Sequence, residues 1–226
     1  MATQLKEQRY SEADLILGLG LERIVEYTDL MKEWLASETE LTELEEQTFD
    51  KVLSRAKKDI TGWQEEDLKM KFLSPVLELS NLIDGENFQT YFEKTISATI
   101  EGMFLKTKTD FMMASGVLDK PQKPYFHFQE WKPHKKPTGD SMAQLLEALL
   151  IGQEVNNYEF PMYGCEVVGK HWTFVILDGK TYCISESFDC TKRRELFKII
   201  SVLRRFREML DERLSKNKLG ITAKQK

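Results

Sequence analysis

MFLKTKTDFMMASGV (residues 103–117), LDKPQKP (118–124), YFHFQEWKP (125–133) and GDSMAQLLEALL (139–150) form the stretch whose reading decides the fold. The first and third pieces read as strands, the second as a proline-punctuated, hairpin-like connection, and the fourth as a helix with a polar start. Alternate side chains of a strand share a face, so Tyr125, His127, Gln129 and Trp131 point one way, and Phe126, Phe128, Glu130 and Lys132 the other. The second row begins as core and ends as charge. An acid and a base at the end of a core-facing row must be paired, metal-bound or solvated in a cleft, because an unpaired buried charge is costly. A cross-strand ion pair at a solvated strand end meets the same demand. Asp110 changes the balance. It shares a face with Met112 and Ala114 by the period-two count, and the connection from Leu118 to Pro124 lays its strand beside Glu130. Two neighbouring carboxylates repel unless a cation joins them, and hard divalent ions such as magnesium take oxygen ligands.

An aspartate in one strand followed by Glu-x-Lys in the next, here Asp110 and Glu130-Trp131-Lys132, resembles the PD-(D/E)XK nuclease superfamily. Thr109 stands where that pattern has proline. Upstream, WQEEDLKMKFLSPVLELSNLI (63–83) reads as a helix with Leu68, Phe72, Val76 and Leu79 in one stripe and Glu65 in phase with it. A first-turn glutamate also suits the helix dipole. The spacing from Glu65 to Lys71, Phe72, Leu73 and Pro75 resembles the helix that opens the nuclease domain of type I restriction motor subunits. That implies Glu65 as the first-helix acid, with Glu66 second in order and Glu78 third. Downstream, Gln144 resembles the glutamine that follows Glu-x-Lys in several branches of the superfamily, while Ser141-x-x-Gln144 equally spells a capping box.

The resemblance implies an α/β fold with a restriction-endonuclease-like core, a mixed central sheet flanked by helices, in a domain spanning 63–226 that includes a long C-terminal helix. An N-terminal helical extension, 1–62, precedes it. The implied activity is Mg2+- or Mn2+-dependent hydrolysis of phosphodiester bonds in nucleic acid, DNA foremost. Asp110, Glu130 and the backbone carbonyl of Trp131 would hold the ion, and Glu65 a second ion or a water. Lys132 would orient the attacking water and stabilise developing charge, and Gln144 would position the lysine or a phosphate. Lysines gather around this stretch, and Lys106, Lys108, Lys135 and Lys136 are the expected phosphate contacts. Their plainer reading is a solvated rim. From a different class comes a catalytically silent member of the fold that binds nucleic acid or protein.

Composition narrows the field. At 226 residues and 41% hydrophobic content the chain can bury one sizeable α/β core. Its net charge of −5 argues against indiscriminate nucleic-acid binding and leaves room for a local basic track. Three cysteines without C-x-x-C spacing suggest neither a disulfide framework nor a zinc site, and three scattered histidines make a Ser-His-Asp triad improbable. No run reaches membrane-span length and the first residues lack a signal-peptide apolar segment, so the expected location is cytoplasmic with no membrane partner. Gly18-Leu19-Gly20 lacks a third glycine and a preceding strand, and is discarded as a phosphate loop. Helical periodicity in residues 21–34 and 193–217 marks two amphipathic regions: the N-terminal helices either pack on the core or form a dimer surface, the C-terminal helix is a second surface for a homodimer, and its arginines read as a salt-bridged face.

Overall fold

The computed structural model describes residues 9–83, 85–134 and 139–223, with side chains to residue 215. Three helices come first, α1 (Glu12–Leu19), α2 (Asp29–Leu35) and α3 (Glu43–Asp59), with a short strand β1 (Glu22–Ile24) between the first two. Ser11 and Thr42 start α1 and α3 as full capping boxes with Asp14 and Glu45, and Thr28 caps α2. The helix from Glu65 is broken into α4 (Glu65–Leu68), a π-helical turn (Lys69–Leu73) and α5 (Ser74–Leu79). Pro75 has no N–H to offer the preceding turn, and the widened turn lies just before it. The extra residue rotates the buried stripe, which runs through Leu68, Phe72, Leu73, Val76, Leu77 and Leu79.

The sheet strands are β2 (Gln89–Ile100), β3 (Met103–Val117), β4 (Lys120–Lys132), β5 (Met162–Val168), β6 (His171–Asp178), β7 (Thr181–Ile184) and β8 (Phe188–Asp189). Their order is β1-β7-β6-β5-β4-β3-β2, with β8 on β6. The hairpin β2–β3 turns at Glu101 and Gly102, both at positive φ, and β6–β7 turns at Gly179. The parallel pair β4–β5 needs a crossover, which α6 (Ser141–Val155) supplies. This is a mixed α/β sheet covered on both faces, closed by the long helix α7 (Arg193–Ala223).

On one face α6 and α1 pack through Leu15, Leu19, Leu145 and Leu149 against Met112, Ala114 and Phe128. Most of α6 is buried, which is why its sequence is apolar nearly all round. It comes close enough that a Cβ on Gly152 would sit 2.6 Å from Phe128. On the other face α2, α3, α5 and α7 enclose Trp34, Phe72, Phe174 and Leu203. Trp34 donates its indole N–H to the Val202 carbonyl at 2.8 Å, locking α2 to α7. Truncating so large a buried ring to alanine removes roughly 3–5 kcal/mol of stability.

Residues 9–62 therefore do more than extend the molecule as helices. β1 joins the sheet edge in parallel with β7, and Trp34 and Phe49 belong to the same core as Phe174. Three residues, Glu22-Arg23-Ile24, are too few to show a period-two pattern. Four arginines of α7 are committed to carboxylates: Arg193 to Glu46 and Asp50, Arg204 to Glu45, Arg205 to Glu33, and Arg207 to Asp211. Among the described residues, no helix is long and apolar enough to cross a membrane.

Candidate functional site

The register of β3 and β4 brings Asp110 and Glu130 together. Phe111 pairs with Gln129, so continuing the antiparallel ladder by one residue sets Asp110 opposite Glu130. The ladder stops there, and the Trp131 amide N–H donates instead to the Asp110 carboxylate Oδ2 at 2.7 Å. Two residues along β4 from Glu130, Lys132 turns its ammonium back onto the Glu130 carboxylate at 2.6 Å. Both acids are buried, Asp110 with 8% and Glu130 with 3% of its surface exposed.

A coincident kink in β2 and β3 adds a third acid. Glu93 has φ +56°, and around it Phe92 pairs with Phe111 and Lys94 with Thr109. Tyr91 and Ile96 face the α6 side although five positions separate them, as do Leu105 and Met112, seven apart. The facing of both strands therefore reverses at Glu93 and Asp110 without loss of register. The Glu93 carboxylate meets the Lys69 ammonium from the π-helical turn at 2.5 Å and that of Lys108 from β3. Lys69 also pairs with Glu65, one turn earlier, at 2.6 Å and with Asp110 at 3.5 Å. One carboxylate oxygen from each of Glu65, Glu93 and Asp110 lies within 4.8 Å of the others. Compared with protein-family models and with curated proteins, the sequence matches none.

The electrostatics follow from burial and donor supply. Burial raises the Asp110 pKa above the ordinary aspartate value, against the pull of the Trp131 amide, Lys69 and Lys132. Burial, then the charges of Asp110 and Glu65, push Glu130 up to about 7 despite Lys132. Burial would raise Glu93 too, yet hydrogen bonds from Lys108 and Lys69 hold it at about 2. Burial works against the Lys69 ammonium, but hydrogen bonds to Glu65 and Glu93 keep its pKa above the ordinary lysine value. Four carboxylates (Glu65, Glu93, Asp110, Glu130) thus face three ammonium groups (Lys69, Lys108, Lys132), a formal surplus of one negative charge. An all-oxygen donor set with surplus negative charge suits a hard divalent cation.

Other residues singled out by the sequence lie elsewhere. Gln144 lines a separate hollow of about 250 Å³ with Arg9, Tyr10, Lys106, Lys108 and Glu147, and its Oε1 is buried without a hydrogen-bond partner among the described residues. The capping box at Ser141 does not form. Asp140 is the N-cap, accepting from the Ala143 amide, and the Ser141 hydroxyl donates to Glu166 at 2.6 Å. Trp131 contributes its amide N–H to Asp110, and the contact observed is not through its carbonyl. Lys106 and Lys108 both rim the Gln144 hollow, and Lys135 and Lys136 lie outside the described residues. Glu66 is exposed, and Glu78 lies with Arg204 and Arg207 beside α7. Lys71 pairs with Asp67 at the surface, so Lys69, not Lys71, is the helix lysine that reaches the site.

Sequence reasoning missed Lys69 and Glu93. The i,i+4 spacing of Glu65 and Lys69 was a usable signal. Glu93 gave none, because a left-handed residue inside a strand of otherwise ordinary β-formers has no marker unless it is glycine or asparagine.

Proposed function

We propose that this chain is a metal-dependent phosphodiesterase of restriction-endonuclease-like architecture that cleaves nucleic acid, DNA in the first place. The observation that carries the reading is the Asp110–Trp131 link, which fastens Glu130-x-Lys132 beside Asp110 in one buried cluster of charged side chains. Asp110, Glu130 and Glu65 would hold a magnesium or manganese ion. Such an ion supplies Lewis acidity at the phosphoryl oxygen and lowers the pKa of a bound water.

The protein's own part is positioning and charge. The Trp131 amide fixes the Asp110 carboxylate in one orientation, and the kinked β2–β3 hairpin leaves that carboxylate open toward Glu65. Lys132, with its side chain 13% exposed, would leave Glu130 for a phosphate oxygen and stabilise charge that develops in the transition state. Lys106 and Lys108 extend positive potential along the neighbouring hollow, where a nucleic-acid backbone would run. The three cysteines are free and buried, which suits the reducing cytoplasm to which we assign the protein.

The test is incubation with labelled single- and double-stranded DNA and RNA in Mn2+, comparing wild type with Lys132→Ala. Cleavage lost in the variant is the expected result, and cleavage equal in both overturns the assignment. A silent nucleic-acid-binding member of the fold is the second reading. The arrangement of Lys69, whose ammonium already bridges Glu65, Glu93 and Asp110, favours it. Retained DNA binding with no cleavage at any Mn2+ concentration would select that alternative.

A further inference from the structure

The Lys69 ammonium stands 2.6 Å from Glu65, 2.5 Å from Glu93 and 3.5 Å from Asp110, so a tethered cation occupies the place where these three carboxylates converge. We propose that Lys69 is a displaceable internal counter-ion: it holds this carboxylate trio together when no metal is bound, and a divalent ion must push it aside to reach Glu65, Glu93 and Asp110. This inference rests on the metal-dependent reading above and adds two residues to it, Lys69 as a positioning residue and Glu93 as a ligand.

Three observations carry it. Size is the first. Magnesium holds oxygens at roughly 2.0–2.1 Å, so neighbouring ligand oxygens stand about 2.9 Å apart and opposite ones about 4.1 Å. The trio's oxygens lie within 4.8 Å of one another and stand 2.5, 2.6 and 3.5 Å from the ammonium nitrogen, longer than roughly 2.0–2.1 Å, so exchanging the ammonium for a magnesium ion draws the carboxylates inward. Mobility is the second. Lys69 is a flexible four-carbon side chain with 22% of its surface exposed, so its ammonium has a route to solvent that needs no backbone change. The third is redundancy of charge. Among the described residues, Glu65 and Asp110 both have their ion pair with Lys69 alone, but Asp110 keeps the Trp131 amide and Glu93 keeps Lys108 when Lys69 leaves. Displacement therefore releases one ammonium while Asp110 and Glu93 each keep a partner.

The experiment uses the full chain and manganese chloride or magnesium chloride alone. Calorimetric titration of wild type, Lys69→Met and Lys69→Arg should give Mn2+ binding to all three, at least roughly tenfold tighter in Lys69→Met, with Lys69→Arg returning toward wild type. Thermal unfolding of the same proteins should show Lys69→Met destabilised without metal and raised more by Mn2+ than wild type. Equal affinities in wild type and Lys69→Met sink the counter-ion role and leave the metal-dependent reading standing. Binding to neither protein sinks both. Binding to Lys69→Met alone makes Lys69 a permanent substitute for the ion, which overturns displaceability. Should Lys69→Met not fold, the lysine ammonium nitrogen resonances of the wild type are followed through a Mg2+ titration, with Lys69→Arg to assign the signal. An unmoved Lys69 resonance at saturating Mg2+ refutes the proposal.

Discussion

Asp110 and Asp189 are equally screened from solvent, each with 8% of its surface exposed, and their pKa values move in opposite directions. Asp189, on β8, is ringed by donors: the Lys170 ammonium at 2.7 Å, the Thr191 hydroxyl at 2.6 Å and the Thr191 amide at 3.0 Å. Burial pushes its pKa up, but these donors hold it at about 2. Asp110 has one close donor, the Trp131 amide, with Lys69 at the longer distance of 3.5 Å and another carboxylate as neighbour, and burial wins. Asp110 is also set deeper among protein atoms than Asp189, so depth and donor supply together decide whether a buried carboxylate is a finished structural element or one with an unmet demand for positive charge. Asp189 pins the β8 turn. Asp110 stays short of cations, as a carboxylate waiting for a ligand would.

The largest effect that contrast predicts is on catalysis. Asp110→Asn and Lys132→Ala should each lower the initial rate of DNA cleavage in Mn2+ by roughly 10²–10³ or more, the scale of losing preorganised charge stabilisation. Asp189→Asn should leave the rate per folded molecule unchanged. A comparable rate loss in Asp189→Asn would erase the distinction between the two aspartates.

How much of this could be read from residues alone differs between the two regions. Period-two alternation and a hairpin connection put Asp110 and Glu130 on neighbouring strands, but the turn is confined to Leu118 and Asp119, with β4 starting at Lys120. The Val117–Lys120 register reaches Asp110 opposite Glu130 only through the irregularities on either side of Ala114, which have no marker in the sequence. The three-layer packing was legible in the apolar sequence of α6 and in the stripe of α7. Lys69 was not picked out, although its i,i+4 spacing to Glu65 signals it, because the resemblance in the Glu65-to-Lys71 spacing drew the reading to Lys71, which pairs with Asp67 at the surface. Nor was Glu93, whose position depends on a kink shared by two strands, a tertiary event with no local signature. The glutamine after Glu-x-Lys was found in sequence, yet the N-cap shifted to Asp140 and the side chain faces a separate hollow.

Next in size is stability. Asp189→Asn leaves the Lys170 ammonium without its carboxylate and should cost about 3 kcal/mol in urea denaturation at neutral pH. Asp110→Asn keeps an acceptor for the Trp131 amide and relieves repulsion with Glu130, so its cost should stay under about 1 kcal/mol. The Asp189 contribution also has a fixed pH sense. A carboxylate with a depressed folded-state pKa stabilises the fold above its unfolded value, and that stability is lost as pH falls through about 2. The gap between wild type and Asp189→Asn should therefore be full at neutral pH and shrink steadily from about pH 4 downward. A gap that grows in acid would contradict the donor argument.

Glu147 offers the finest test, because it is buried like the two aspartates, with 5% of its surface exposed, and its donor supply is thin. Burial raises its pKa to about 7, opposed only by the Tyr10 backbone N–H and the charge of Arg9. If donor supply governs, Glu147 should titrate on the Asp110 side of the comparison. The folded protein then binds a proton there more tightly than the unfolded chain does, so the contribution is present at low pH and is lost as pH rises from the ordinary glutamate value through about 7. Glu147→Gln removes the titration while keeping the shape and an acceptor for the Tyr10 amide. Relative to wild type the variant should gain stability, on the order of 1 kcal/mol, between pH 5 and pH 8 in chemical denaturation. A difference that is flat across that range would mean that Arg9 supplies enough charge to hold the carboxylate ionised, and the thin-donor class would shrink to the pocket around Asp110 and Glu130.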